Sequence, residues 1–207
     1  MDIDPTEQPQ PDENSRPLLF ALALLVAIGG LTFGLTRTGG GAPSAASQSS
    51  IGGPFDLIAS DGSPFSEKNL AGKPFAIYFG YTRCPDVCPT SLASLARLHR
   101  QLGTDGEKFA IVFVSVDPEH DKPAAIGDYV KLFGAPIIGV TGNDAQLKAI
   151  ERSYGIYVNK VPQSGGDYLV DHSAAILLMD GNARLFDIIN YNEPDPSALA
   201  KLKRLIG

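Results

Sequence analysis

Residues 74–89 read PFAIYFGYTRCPDVCP, and the order of that chemistry decides the fold. Pro74–Tyr81 is a compact apolar and aromatic run without a charge, the pattern of a buried strand. It passes straight into Cys84 and Cys88. Pro89 then opens a helix over Pro89–Leu102 that sets Leu92, Leu95, His99 and Leu102 along one side. Both thiols therefore stand where a strand ends and a helix begins. Free amide N–H groups and the helix dipole favour a negative thiolate there. Pro89 disfavours helical geometry at Cys88, which keeps the pair on the entry loop and first turn.

Outward from this junction, strands and helices alternate. Phe109–Val116 is a second buried strand. Ala174–Met179 and Leu185–Ile189, separated by Asp180-Gly181-Asn182, form a closing hairpin. Phe55-Asp56-Leu57-Ile58, Asp61-Gly62 and Pro64-Phe65 make a short opening one. Helices are predicted over Pro123–Phe133 and Asp144–Tyr154, stopped by Gly134 and Gly155, with a short strand between them. A last helix spans Ser197–Ile206, with Lys201, Lys203 and Arg204 toward its C-terminal end. Strand–helix–strand units imply a parallel centre, and the closing hairpin makes the sheet mixed. The predicted class is α/β: a thioredoxin-like domain over 54–207, with a central mixed β-sheet flanked by helices.

The first 53 residues read differently. Residues 1–16 form an acidic tail with Asp2, Asp4, Glu7, Asp12 and Glu13 against Arg16. Residues 17–36, PLLFALALLVAIGGLTFGLT, carry no charge. A helix of that length spans about 30 Å, the thickness of a bilayer's hydrocarbon core, and satisfies its own backbone in lipid. The run is predicted to be one N-terminal transmembrane helix. A cleaved signal peptide is the alternative, with Ser44-Ala45-Ala46 as its cleavage site. The run is long for one, and acids precede it rather than a basic segment. Arg16 and Arg37 flank the span one each, so the positive-inside rule is tied. The acidic start argues against a mitochondrial transit peptide. Residues 37–53 are uncharged after Arg37 and rich in Gly, Ser and Ala, a flexible tether reaching roughly 20–25 Å.

Composition narrows the chemistry. The chain has 207 residues and a net charge of −6, which argues against a nucleic-acid partner. Two cysteines exclude a multi-bridge disulfide scaffold and a four-thiolate metal site. An inert Cys84–Cys88 bridge would close a tiny loop and constrain little unfolded chain. Three residues separate the cysteines where thioredoxin-type oxidoreductases have two. That spacing lets two sulfurs converge on one ion, though they can still close a disulfide. The peroxidatic signature does not fit, since Thr82 precedes Cys84 by two residues, not three. Val170-Asp171-His172-Ser173 lies directly before the AAILLM strand, where a thioredoxin-like fold usually carries a cis-proline against the cysteine loop. His172 stands there instead and can add an imidazole to two thiolates. Cys84, Cys88 and His172 are soft-to-borderline ligands suited to copper or zinc, and no fourth ligand for a closed zinc site is evident. His99 reads as a helix-surface or core-edge residue. Asp86 and Asp171 either orient the site or are ordinary loop acids. Arg83 either favours the Cys84 thiolate or faces water. Tyr81 reads as core with an option to shield the site.

YFGYTRCPDVCPTSLASL, SVDPEHD and VDHSAAILL resemble the Sco (SenC) family of copper-binding, thioredoxin-like proteins. The resemblance runs from about Phe55 to the C-terminus and extends to the single membrane anchor. It implies one copper ion, Cu(I) or Cu(II), per chain on Cys84, Cys88 and His172. It also implies delivery of copper to the binuclear centre of cytochrome c oxidase, whose copper-bearing subunit is the partner. The alternative is a thiol–disulfide oxidoreductase that reduces that centre's cysteines, with Cys84 and Cys88 as its redox pair. Other copper chaperones or thiol reductants are possible partners. The family's topology places the domain outside the cytoplasm, hence a single-pass protein of a bacterial inner membrane with its domain in the periplasm. A copper or redox sensor is a third reading, against which the 16-residue tail is too short to signal. His120 in SVDPEHD stands where the family leads one to expect arginine, a spare imidazole that could compete for metal.

Overall fold

The computed structural model describes residues 51–70 and 72–207. The acidic tail, the 17–36 span and the tether up to residue 50 lie outside the described residues. Among the described residues no helix is long and apolar enough to cross a membrane.

The run after Pro74 forms the central strand. β3 (Phe75–Gly80) is buried at all six positions, as a strand covered on both faces must be. β4 (Ala110–Ser115) and β5 (Ile137–Thr141) continue it in parallel, with Phe75 opposite Ala110 and Gly80 opposite Ser115. On the other side β8 (Ile176–Met179) runs antiparallel to β3, and β9 (Leu185–Ile189) antiparallel to β8. β1 (Asp56–Ala59) and β2 (Pro64–Ser66) close the far edge, giving the order β2-β1-β5-β4-β3-β8-β9. This is the mixed, helix-flanked thioredoxin-like sheet the sequence leads one to expect.

α1 (Val87–Leu102) begins two residues before the expected start and turns Leu92, Leu95, Leu98 and Leu102 into the core. α2 (Pro123–Lys131) packs on β5, and α3 (Asp144–Tyr154) against β1. α3 starts at a reciprocal cap, in which Asn143 and Gln146 satisfy each other's backbone N–H. It ends at Gly155, whose left-handed φ of 65° suits glycine. α4 (Asp195–Ile206) lies on β8, β9 and α1, tied to α1 by a two-pronged Arg97–Asp195 pair at 2.7 and 2.8 Å.

Two segments depart from expectation. Ile51–Gly53, the last residues of the 37–53 stretch, are held by the domain. Gly52 N–H donates to Ser153, Gly53 N–H to Ala183, and Leu185 N–H to Ile51. The segment between Gly155 and the AAILLM strand, to which the sequence reading assigns no element, forms a separate two-stranded sheet, β6 (Val158–Pro162) and β7 (Tyr168–His172), with Val158 opposite His172. His172 is thus the last residue of a strand, not a loop residue.

Candidate metal centre

Beyond Gly80 the chain turns once, with Cys84 N–H donating to Tyr81 O at 3.3 Å, and enters α1. Cys88 occupies the second helical position, so its N–H has no partner within the helix. It donates to Cys84 Sγ at 3.4 Å, and the sulfur serves as the cap acceptor. Cys84 is half-buried, Cys88 fully buried, and both are free thiols. A hydrogen bond from the Cys88 side chain lowers the Cys84 thiol to about 4 against the pull of burial, with help from the Cys88 amide. The same hydrogen bond, with burial, pushes the Cys88 thiol up. The two sulfurs are thus unequal, Cys84 half-buried with its thiol lowered and Cys88 enclosed with its thiol raised.

β7 brings His172 over them, with Nε2 3.2 Å from Cys88 Sγ. His172 Nδ1 lies 3.0 Å from the Ser173 carbonyl, an acceptor only. The ring proton therefore belongs on Nδ1, and the Nε2 lone pair is left facing the sulfurs. Tyr78 and Tyr81 meet the imidazole edge-on, with ring centroids 6.1 and 6.0 Å away, and fix its plane. The donor atoms of Cys84, Cys88 and His172 all lie within 4.8 Å of one another, and no other such group of three occurs among the described residues. Two thiols and an imidazole at that separation fit a soft or borderline ion, and three donors leave a position open.

The other candidates fall elsewhere. His99 is eleven residues along α1, about 16 Å by helical rise, against Phe109. His120 is not a competing imidazole. Its Nδ1 stands 3.0 Å from Asp117 Oδ2 and 2.9 Å from Arg83 Nη2, and its ring meets Tyr168 edge-on. Arg83 turns from the sulfurs toward the β6–β7 hairpin, pairing with Asp167 at 2.9 Å and Asp117 at 3.5 Å. Asp86 and Asp171 are exposed. Tyr81 is buried beside His172.

Two carboxylates that hold the site escaped the sequence reading. Asp121, buried, accepts from Thr82 N–H and from the hydroxyls of Thr82 and Ser115, anchoring the turn that leads to Cys84. Asp117, fully buried, accepts from Tyr168 and Arg83 and joins the cysteine loop to β7. Both lie in the quoted SVDPEHD stretch, where two acids directly after a buried strand were the available signal.

With the geometry in place, likeness to known proteins is specific. The SCO1/SenC family profile matches residues 43–207. The SCO1 homolog 1 of Arabidopsis thaliana mitochondria is 44% identical over 65% of this chain, which spans 40% of that protein. A SCO2-like protein of Rickettsia prowazekii is 33% identical over 83% of this chain and 87% of its own length. Among solved structures, Bradyrhizobium japonicum ScoI with copper bound matches with a TM-score of 0.69. It is 43% identical and covers 75% of this chain and 99% of its own.

Proposed function

The chain belongs to the SCO1/SenC family, and from that premise we propose that it is a membrane-anchored copper metallochaperone. Cys84 and Cys88 hold the ion as thiolates and His172 Nε2 completes the set. The single observation that carries this is the convergence of those three donors within 4.8 Å. A copper-bound relative of 43% identity supports the choice of metal. The half-exposed Cys84 and the open coordination position suit associative exchange, in which a partner's ligand enters before the chaperone's leave. The acceptor is the copper-bearing subunit of cytochrome c oxidase, as the family resemblance implies. The uncharged 17–36 run anchors the chain in a bacterial inner membrane with the domain on the periplasmic side. The likeness to the Rickettsia and Bradyrhizobium proteins supports that bacterial setting.

The test is anaerobic titration of the reduced chain with Cu(I) and Cu(II), reading thiolate-to-copper charge-transfer absorption and bound stoichiometry. One copper per chain is expected. Cys84→Ser, Cys88→Ser and His172→Ala should each weaken binding at least tenfold, and His99→Ala should not. Equal affinity in His172→Ala would remove that residue from the site.

One observation favours a second reading, reduction of a partner's disulfide. Cys84 is a half-buried free cysteine whose thiol is lowered by the Cys88 side chain, with the buried Cys88 beside it to resolve, the arrangement that attacks a disulfide through a mixed intermediate. His172→Ala separates the two roles: copper binding should fall while disulfide reductase activity remains.

A further inference from the structure

One cleft of the domain adjoins the metal centre without containing any of its three donors. It encloses about 250 Å³ between α1, the start of β8 and the loop that leaves β9. Ser91 and Ser94 line it from α1, Ala174 and Ile176 from β8 and the segment before it, and Asn190–Asp195 from the loop. Two of these flanks lead back to copper donors. Ser91 and Ser94 stand three and six residues beyond Cys88, about 4.5 and 9 Å along the helix. Ala174 stands two residues beyond His172. A chain seated in the cleft is therefore two or three extended residues from the open coordination position.

The lining selects the kind of chain. Each charged residue in it is already paired, Arg97 with Asp195 at 2.7 Å and Glu193 with Lys201 at 2.8 Å. The groups left over are neutral. Ala174 belongs to no strand and makes no backbone hydrogen bond among the described residues. Ser91 is 6% exposed, and its Oγ has no partner among the described residues. Buried hydroxyls without a partner are rare in a settled fold. Ile176 and Ile189 add buried apolar surface, and Tyr191 stands exposed at the rim. The loop wall is formed in advance. Asn190 N–H donates to the Glu193 carboxylate at 2.9 Å, and Glu193 N–H donates to the Asn190 carbonyl at 3.1 Å. A fixed wall lowers the ordering cost of binding. The volume lies below the ~300–1,000 Å³ of sites that enclose a whole small ligand, so the cleft suits a short piece of a longer chain.

Resting on the copper reading above, we propose that this cleft seats a neutral, extended segment of the copper acceptor, two or three residues to one side of its incoming ligand. The backbone of that segment bonds to Ala174 and Ser91, and its side chains rest on Ile176, Ile189 and Tyr191. The cleft orients the acceptor so that its ligand arrives at the open position. It governs how fast copper is passed on, not how tightly copper is held.

The experiment follows Cu(I) transfer from the full-length, detergent-solubilised chain to two acceptors. One is the reduced, metal-free soluble domain of the copper-bearing oxidase subunit. The other is N-acetylcysteine, which has no flanking chain. Wild type is compared with Ser94→Leu, which fills the cleft, with Tyr191→Ala, and with Leu132→Ala, an exposed apolar residue at the end of α2. Ser94→Leu and Tyr191→Ala should each slow transfer to the domain about tenfold, the effect of losing one or two ordinary hydrogen bonds. Their transfer to N-acetylcysteine, copper stoichiometry and charge-transfer energy should equal those of wild type. Leu132→Ala should match wild type throughout. A Ser94→Leu chain that serves the domain as fast as wild type would overturn the inference and leave the copper reading standing. Equal slowing toward both acceptors would also overturn it, by placing the effect on the metal centre. Slowing by Leu132→Ala would do so too, by making the effect one of the whole surface. A wild-type chain that binds copper but passes none to the domain would take down the delivery reading and the inference together.

Discussion

Position 80 has room for a hydrogen and nothing larger. A methyl there would meet Cys88 Sγ at 2.7 Å and Phe113 Cε2 at 3.1 Å, both held by the core. Gly80→Ala should therefore destabilise the fold by about 1–3 kcal/mol, the usual range for overpacking, and displace a metal-binding sulfur as well. Thermal unfolding and copper affinity measured together check this, and both should fall. Asp121 makes a different case. Its removal leaves the Thr82 amide and the Thr82 and Ser115 hydroxyls without their acceptor. Asp121→Ala should lower stability by about 2–3 kcal/mol, since leaving even one such group unpaired costs about 1–3. Asp121→Asn, which keeps the acceptor oxygen, should lose less. The two cysteines were legible because their spacing lies within one loop. The Thr82–Asp121 bond spans 39 residues and leaves no spacing to read.

The β6–β7 hairpin is the element on which the site turns, because it carries His172 to the cysteine loop. It belongs to no larger sheet, so contacts at its sides must place it. Arg83 reaches Asp167, Tyr168 reaches Asp117 and Glu119, and Lys160 pairs with Glu119 at 2.7 Å. Arg83, next to Cys84, is thus a clasp between the two halves of the donor set. Arg83→Ala should weaken copper binding about tenfold, at the low end of effects seen when residues behind metal ligands are removed. Amide exchange over 158–172 should quicken, while β8 and β9 keep their protection. Unchanged exchange in the hairpin would show that Arg83 does not hold it. The hairpin was not legible because its strands, VNKVP and YLVDH, are exposed or half-buried at every position but Val170 and show no continuous apolar run. The central strands were legible for the opposite reason, burial on both faces.

Across the whole domain, its two ends are pinned to the same edge by different forces. At the C-terminal end, Lys201 Nζ sits 2.8 Å from Glu193 and 2.6 Å from the Ile188 carbonyl, joining α4 to β9. Burial alone would raise the Glu193 carboxyl, but Lys201, Ser197 and the Asn190 amide outweigh it and hold it at about 2. A depressed carboxyl stabilises the fold fully above its ordinary value of about 4.3 and loses that contribution as pH falls toward 2. The melting-temperature gap between wild type and Glu193→Gln should be widest near neutral pH and narrow as pH falls from about 4 toward about 2. At the other end, Ile51–Gly53 lie beside Met179 and Ala183, at the Phe75 end of β3. The cysteine loop leaves the Gly80 end, roughly 17 Å away along the strand. A chain beginning at Phe55 loses the bonds from Gly52 to Ser153, Gly53 to Ala183, Leu185 to Ile51 and Tyr154 to Gly53. At about 0.5–1.5 kcal/mol each these sum to roughly 2–6 kcal/mol, a melting temperature lower by several degrees than in a chain beginning at Ile51. Because that strand separates the loss from the donors, the shorter chain should still bind one copper with unchanged charge-transfer energy. A shorter chain that melts normally would return Ile51–Gly53 to the tether. One that loses its copper band would mean that the strap and the metal centre are coupled through the sheet.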